Sequence, residues 1–141
     1  MDINTISATP SASAADAEYT YQEWDRRTRA GDIPGLSELY LPDAVLESPL
    51  VPRILEGESG VLTGHLELEP FFRRGTASRP NELARWYRTG IYQFDGRTLI
   101  WEYPRQTPKG DQLDLVEVMD LHGPQIAHHW GWCGTPLLTR R

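Results

Sequence analysis

Cysteine is almost missing from this chain: of 141 residues, only Cys133 carries a thiol. A lone thiol excludes an internal disulfide and a thiolate metal cluster, and it suits a reducing, cytoplasmic setting. Positive charge is also scarce, with 14 Lys and Arg against 20 Asp and Glu and a net charge of -6. Such a chain offers no basic patch for a phosphate backbone, so nucleic acid is not an expected partner. Long apolar runs are missing as well, since none approaches the roughly 18 residues that a membrane span needs. The N-terminus, MDINTISATPSASAADAE, has neither a positively charged nor an apolar segment and does not read as a secretory signal.

What is there fits one domain, because this length supports a real core but not two. Residues 1–17 read as a disordered tail rich in Ser, Ala and Thr, 18–135 as the domain, and 136–141 as a short C-terminal tail. A first helix is expected from Glu18 to Ala30, with Tyr21 and Trp24 on its apolar stripe and Gly31 ending it. Asp32 can cap a second helix, Ile33 to Leu41, that buries Leu36, Leu39 and Tyr40 before Pro42. Ala44 to Leu50 reads as a strand, and Pro52 to Gly64 as a Gly-rich acidic loop able to cover a pocket. A third helix, about His65 to Arg74, presents Leu66, Leu68, Phe71 and Phe72. Four strands then follow: Leu83 to Phe94, Arg97 to Arg105, the strand holding Glu117, and Ile126 to Cys133. Asp95-Gly96 joins the first two as a hairpin, and Pro108-Lys109-Gly110 turns the chain into the third. Helices followed by a meander indicate an α+β fold with three N-terminal helices packed on one face of a curved antiparallel sheet.

The stretch DLVEVMDLHGPQIAHHWGWCG carries the candidate chemistry. Its alternation puts Leu115, Glu117, Met119 and Leu121 on one face of a strand, and Val116, Val118 and Asp120 on the other. The next strand divides into Ile126, His128, Trp130 and Trp132 against Ala127, His129, Gly131 and Cys133. Register decides which histidine meets Glu117. A three-residue loop through His122, Gly123 and Pro124 pairs Glu117 with the His129 face; a two- or four-residue loop pairs it with the His128 face. Adjacent residues on a strand point to opposite sides, so His128 and His129 cannot chelate one metal ion, and no metal or organic cofactor is expected.

The segments AGDIPGLSELYLPDAVLESP and EVMDLHGPQIAHHWGW resemble the helix-helix-strand opening and the last hairpin of the nuclear transport factor 2-like superfamily. That cone-shaped α+β fold includes SnoaL-like polyketide cyclases, ketosteroid isomerases and scytalone dehydratase. In ketosteroid isomerases, an oxyanion-hole tyrosine on helix one corresponds to Trp24 here, the general-base aspartate to Ser48 after Glu47, and the second oxyanion acid to Glu117. In SnoaL-like cyclases, a Glu-His-Trp-Asp run on the last strand corresponds to His128-His129-Trp130-Gly131, so the histidine is kept and the aspartate is replaced by glycine.

The resemblance implies that Glu117, His129, Gly131 and Cys133 face the cone interior. It implies a catalytic pair of Glu117 and His129, with His129 as proton shuttle because a histidine ordinarily titrates near neutrality. Substrate contacts then fall to Trp24, Tyr40, Glu47, Ser48, His65, Gly131 and Cys133. The implied activity is that of a cofactor-independent isomerase, cyclase or dehydratase acting on a small apolar, carbonyl-containing or polyketide-like substrate. The alternative is a non-catalytic ligand-binding or dimerisation module, since Trp24, Ser48 and Gly131 depart from the family pattern. With Glu117 inward, Val116, Val118, Trp130 and Trp132 face outward, and a homodimer through the outer sheet face is expected.

Overall fold

Helix α1, Ala14–Ala30, starts where Ser13 caps it: the Ser13 side chain accepts the Asp16 N–H while the Asp16 carboxylate accepts the Ser13 N–H. The computed structural model describes residues 12–77, 91–106 and 112–134, with side chains described except at 103–106, 112–115 and 132–134. The expected tail to Ala17 is thus too long at its inner end, because a reciprocal cap satisfies two helix N–H groups and extends α1 by a turn. Residues 1–11 and 135–141, positions 83–90 of the strand expected from Leu83 to Phe94, and the turn at Pro108-Lys109-Gly110 lie outside the described residues. Along α1, Ala17, Thr20, Tyr21, Trp24 and Thr28 form the buried stripe, and Gly31 closes the helix with φ of 70°.

Asp32 caps α2, Ile33–Glu38, through its carboxylate and the Gly35 N–H at 3.0 Å. The helix stops earlier than expected, and Tyr40 opens strand β1, Tyr40–Glu47, instead of ending a helix. Pro42 explains the shift, because it biases the residue before it toward extended backbone. The segment expected as an open loop holds a helix, α3 (Leu50–Leu55), and a strand, β2 (Val61–Thr63), with Val51 and Leu62 in the core. Helix α4, His65–Ala77, buries Leu68 and Phe72, four residues apart, and leaves Leu66 at 92% exposure. Leu66 is out of phase by two residues, about 200° around the helix.

Four further strands complete the sheet: β3 (Gln93–Phe94), β4 (Thr98–Gln106), β5 (Gln112–His122) and β6 (Gln125–Gly134). The spatial order is β2-β1-β6-β5-β4-β3. The structure has the expected α+β fold with a curved, largely antiparallel sheet: the meander β3 to β6 and the β1–β2 pair are antiparallel, and one pairing, β1 with β6, is parallel. The sheet is thus mixed, and four helices accompany it among the described residues. Leu99, Met119, Leu121, Ile126, Leu46 and Tyr40 are fully buried on its inner face. At roughly 1.5–3 kcal/mol for each large apolar side chain, this layer supplies much of the drive to fold.

The register of the last hairpin comes from two features. The turn contains only Gly123 and Pro124, since His122 pairs with Gln125 and Gly123 adopts φ of 60°. Taken alone, that turn would align Glu117 with Trp130. A bulge then intervenes, because Leu121 pairs with Ile126 but Asp120 pairs with His128, leaving Ala127 unopposed. Beyond it Met119 lies opposite His129 and Glu117 opposite Gly131, so Glu117 and His129 share the inner face.

Candidate active site

Two rows of the inner face define the site. One row is Leu46, His129, Met119 and Leu99, in which the imidazole is flanked by fully buried apolar side chains. The adjacent row runs across Gly131, Glu117 and Trp101, with Ser48 beside it at the end of β1. Glu117 and His129 are diagonal neighbours, and His129 Nε2 lies 2.6 Å from Glu117 Oε1. Their side chains are 5% exposed for His129 and 12% for Glu117, so the carboxyl group is the more accessible end.

The other edge of the imidazole is held from behind. His129 Nδ1 and the Tyr40 hydroxyl are hydrogen-bonded at 2.8 Å, and the Trp24 indole N–H donates to the same hydroxyl at 3.0 Å. A continuous buried chain therefore links Trp24, Tyr40, His129 and Glu117 across α1, β1, β6 and β5. Burial drives the Tyr40 pKa far above the ordinary phenol value; the Trp24 hydrogen bond acts against this and the charge of Glu117 adds to it. Aromatic rings close the chain off: Trp24 meets Trp101 edge-on at 5.4 Å and His129 at 5.9 Å, and Phe72 lies 5.1 Å from the Tyr40 ring. Such tilted pairs are favourable contacts for rings that carry opposed edge and face charge.

Gly131, bare of a side chain, lets the β6 backbone lie close against Glu117 and Ser48. A side chain there would begin 3.3 Å from Glu117 Oε1 and 3.4 Å from Ser48 Oγ. Ser48 is nearly buried, and its Oγ accepts the Leu50 N–H at 3.1 Å, leaving its hydroxyl proton available to donate.

The structure brings Trp24, Tyr40, Ser48, Glu117, His129 and Gly131 to one region. It does not bring Glu47, which corrects the expectation of a contact there. Glu47 follows Leu46 by one residue and so projects to the outer face, where its Oε2 is 2.6 Å from His128 Nε2. His128 in turn stacks on Trp130 at 3.8 Å and 9°. His65 starts α4 and donates Nε2–H to the Tyr40 carbonyl at 2.9 Å, pinning that helix to β1. Cys133 pairs with Leu115 in the ladder, and its side chain lies outside the described residues. Two features were missed by sequence reasoning. Tyr40 was expected only as a cavity wall, and Trp101 was not singled out, although its alternation with Leu99 places both inward. Among the described residues, no three His, Cys, Asp or Glu side chains converge as a metal site would require, and no helix is long and apolar enough to cross a membrane.

No family model and no curated protein matches the chain. Solved structures do. A SnoaL-like protein of unknown function from Burkholderia thailandensis superposes with a TM-score of 0.67 at 16% identity, covering 86% of this chain and 98% of that one. An NTF2-like protein of unknown function from Burkholderia pseudomallei gives 0.67 at 17% identity, over 89% and 95% of the two chains. A Bacillus subtilis protein provisionally described as an isomerase gives 0.64 at 14% identity, over 85% and 87%. At such identities the likeness speaks of architecture, and function has to come from the site itself. The chain therefore has the fold of these NTF2-like and SnoaL-like proteins, the nuclear transport factor 2-like fold.

Proposed function

We propose that the protein is a cofactor-independent acid/base enzyme, an isomerase, cyclase or dehydratase, that moves protons on a small apolar carbonyl compound held in the cone and works as a homodimer through its outer sheet face. One observation carries the catalytic part: the hydrogen bond of 2.6 Å between His129 and Glu117, two titratable groups paired in a nearly buried site among aromatic rings. A carboxyl group in such a place is costly unless it is paired or used, which makes it a candidate for function. In this reading Glu117 takes a proton from the carbon beside the carbonyl, and the electron pair moves to the carbonyl oxygen to form an enolate. Glu117 then returns the proton to another carbon of the conjugated system, so that atoms and charge balance within the substrate. In the same reading Ser48 Oγ–H donates to the carbonyl oxygen, beside the bare backbone of Gly131. The Bacillus subtilis neighbour provisionally described as an isomerase is consistent with such chemistry on this fold.

The test needs no known substrate. Cyclic and β,γ-unsaturated ketones incubated with the protein in deuterium oxide are followed by proton NMR for loss of signal at the carbon beside the carbonyl. Wild type is expected to catalyse exchange of at least one of them, and Glu117→Gln to slow it by about 100-fold or more. Equal exchange by both would remove Glu117 from the chemistry. A second reading, a ligand-binding module without chemistry, is favoured by one observation: Tyr21, Trp24 and Trp101 pack on one another inside the cone, at 5.0 Å and 5.4 Å. Under that reading a ketone would quench tryptophan fluorescence on binding, yet wild type and Glu117→Gln would both leave its deuterium content unchanged.

A further inference from the structure

The chain Trp24–Tyr40–His129–Glu117 has a direction, and the direction follows from what each group can do. An indole N–H donates and never accepts, so the Tyr40 oxygen must be the acceptor in its 3.0 Å bond to Trp24. The Tyr40 side chain is fully buried, so its own hydroxyl proton needs an acceptor inside the protein. His129 Nδ1, at 2.8 Å, is placed to accept it. If Nδ1 carried a proton instead, the phenol oxygen would receive two hydrogen bonds and its own proton would have to turn away from this contact. Once Nδ1 is an acceptor, the ring proton of the neutral imidazole must sit on Nε2, where it points at Glu117 Oε1 across 2.6 Å.

We infer that Trp24 and Tyr40 are positioning residues that lock His129 in the Nε2–H tautomer, making it a fixed hydrogen-bond donor to Glu117 rather than a proton shuttle. The consequence for the site is a division of labour. His129 has one nitrogen turned to Tyr40 and the other to Glu117, so both ring nitrogens are engaged within the protein. Glu117 is then the member of the chain that borders Gly131 and Ser48, and its side chain is more exposed than that of His129. The sequence expectation that His129 moves the proton is reversed, and the proton belongs to Glu117. Trp24, which replaces the family's helix-one tyrosine, is not a lost catalytic group here, because its N–H sets the polarity of the whole chain. The catalytic meaning rests on the proposed function, but the tautomer does not, and different measurements read the two.

The experiment is nitrogen-15 NMR of protein labelled in histidine. Four pairs of ring-nitrogen signals are expected from His65, His122, His128 and His129, and His129→Asn identifies the relevant pair by its loss. His65 supplies an internal reference, since its Nε2–H donates to the Tyr40 carbonyl. In wild type, His129 is expected to show an unprotonated, imine-type Nδ1 and a protonated Nε2 in a single tautomer. Trp24→Phe removes the obligatory donor and Tyr40→Phe the hydroxyl, and each is expected to populate the Nδ1–H tautomer as well. Circular dichroism checks that the variants fold; should either fail to fold, the wild-type spectrum still decides. A protonated Nδ1 in wild type overturns the inference, as does an unchanged His129 signal in both folded variants. Such a result would leave the deuterium test of Glu117 standing, and a failed deuterium test would leave the tautomer standing.

Discussion

At the residue scale, the site depends on one side chain that is absent. Gly131 sits between Glu117 Oε1 and Ser48 Oγ, and an added methyl would meet them at 3.3 Å and 3.4 Å. The backbone there is an ordinary strand position with no positive φ, so Gly131→Ala carries no conformational penalty of the kind glycine relieves in turns. The expected outcome is a folded protein with a modest loss of thermal stability, because Glu117 and Ser48 must give way by a few tenths of an ångström, and a ketone exchange that falls by about tenfold or more, since the shifted groups no longer meet the substrate; roughly 1.4 kcal/mol of lost transition-state binding produces that factor. Melting temperature and exchange rate measured together check it, and an unchanged rate would place the substrate elsewhere. Period-two alternation sorts strand residues into two faces without long-range knowledge but leaves the register open, and only the family resemblance turned Glu117, His129 and Gly131 toward the inner face on which the structure places them. Sequence reasoning could not reach the role of Tyr40. Between Asp32 and Pro42 the local pattern fits a helix, and the partner that gives Tyr40 its meaning, His129, lies 89 positions away. Glu47 failed for a related reason: it neighbours Ser48 in sequence, but a strand sends the two to opposite faces, and Glu47 is matched with His128 instead.

At the scale of elements, the last hairpin combines two errors of local reading that cancel. A three-residue loop was one candidate for bringing Glu117 and His129 together; the protein uses a two-residue turn and regains the lost position with the bulge at Ala127. Turn length is a local property, but a bulge is set by the packing of the whole face, here by Leu121, Ile126 and Met119, which are all fully buried. The parallel pairing of β1 with β6 is equally invisible from local pattern, because no connecting turn announces it. The turn itself makes a prediction. Gly123 has φ of 60°, and a side chain there would meet nothing within 4 Å, so the cost of Gly123→Ala is conformational rather than steric. Left-handed backbone costs an L-residue with a Cβ about 1–2 kcal/mol. Urea unfolding of Gly123→Ala is therefore expected to show that loss with an unchanged slope, and Gly123→Asn a smaller one, since asparagine tolerates this region better. Equal stability of wild type and both variants would mean that the turn relaxes to another type.

At the scale of the whole molecule, the outer sheet face is what the monomer leaves unfinished. Register places Val61, Glu47, Trp130, Val118 and Ile100 in one row across β2, β1, β6, β5 and β4. Val61 and Ile100 at the two ends are 46% and 36% exposed, while Val118 and Trp130 in the middle are half-buried. Helices occupy the inner side, so a second copy of the same face is the natural cover, and a two-fold axis needs only one self-complementary surface. A stable interface of this kind buries about 1,200–2,000 Å² in total. In the proposed dimer the Glu47–His128 pair and its stacked Trp130 would lie within that interface and add a polar contact beside the apolar row. Sedimentation at micromolar concentration is expected to give a dimer. Val118→Lys places a charge at the middle of the row and is expected to dissociate the dimer while far-UV circular dichroism remains that of a folded protein, because the Val118 side chain faces away from the core layer of Leu99, Met119 and Leu121. A monomeric wild type would remove the dimer from the proposed function. A variant that stays dimeric would move the interface to another face, and neither result would alter the inner site, whose groups all lie on the opposite side of the sheet.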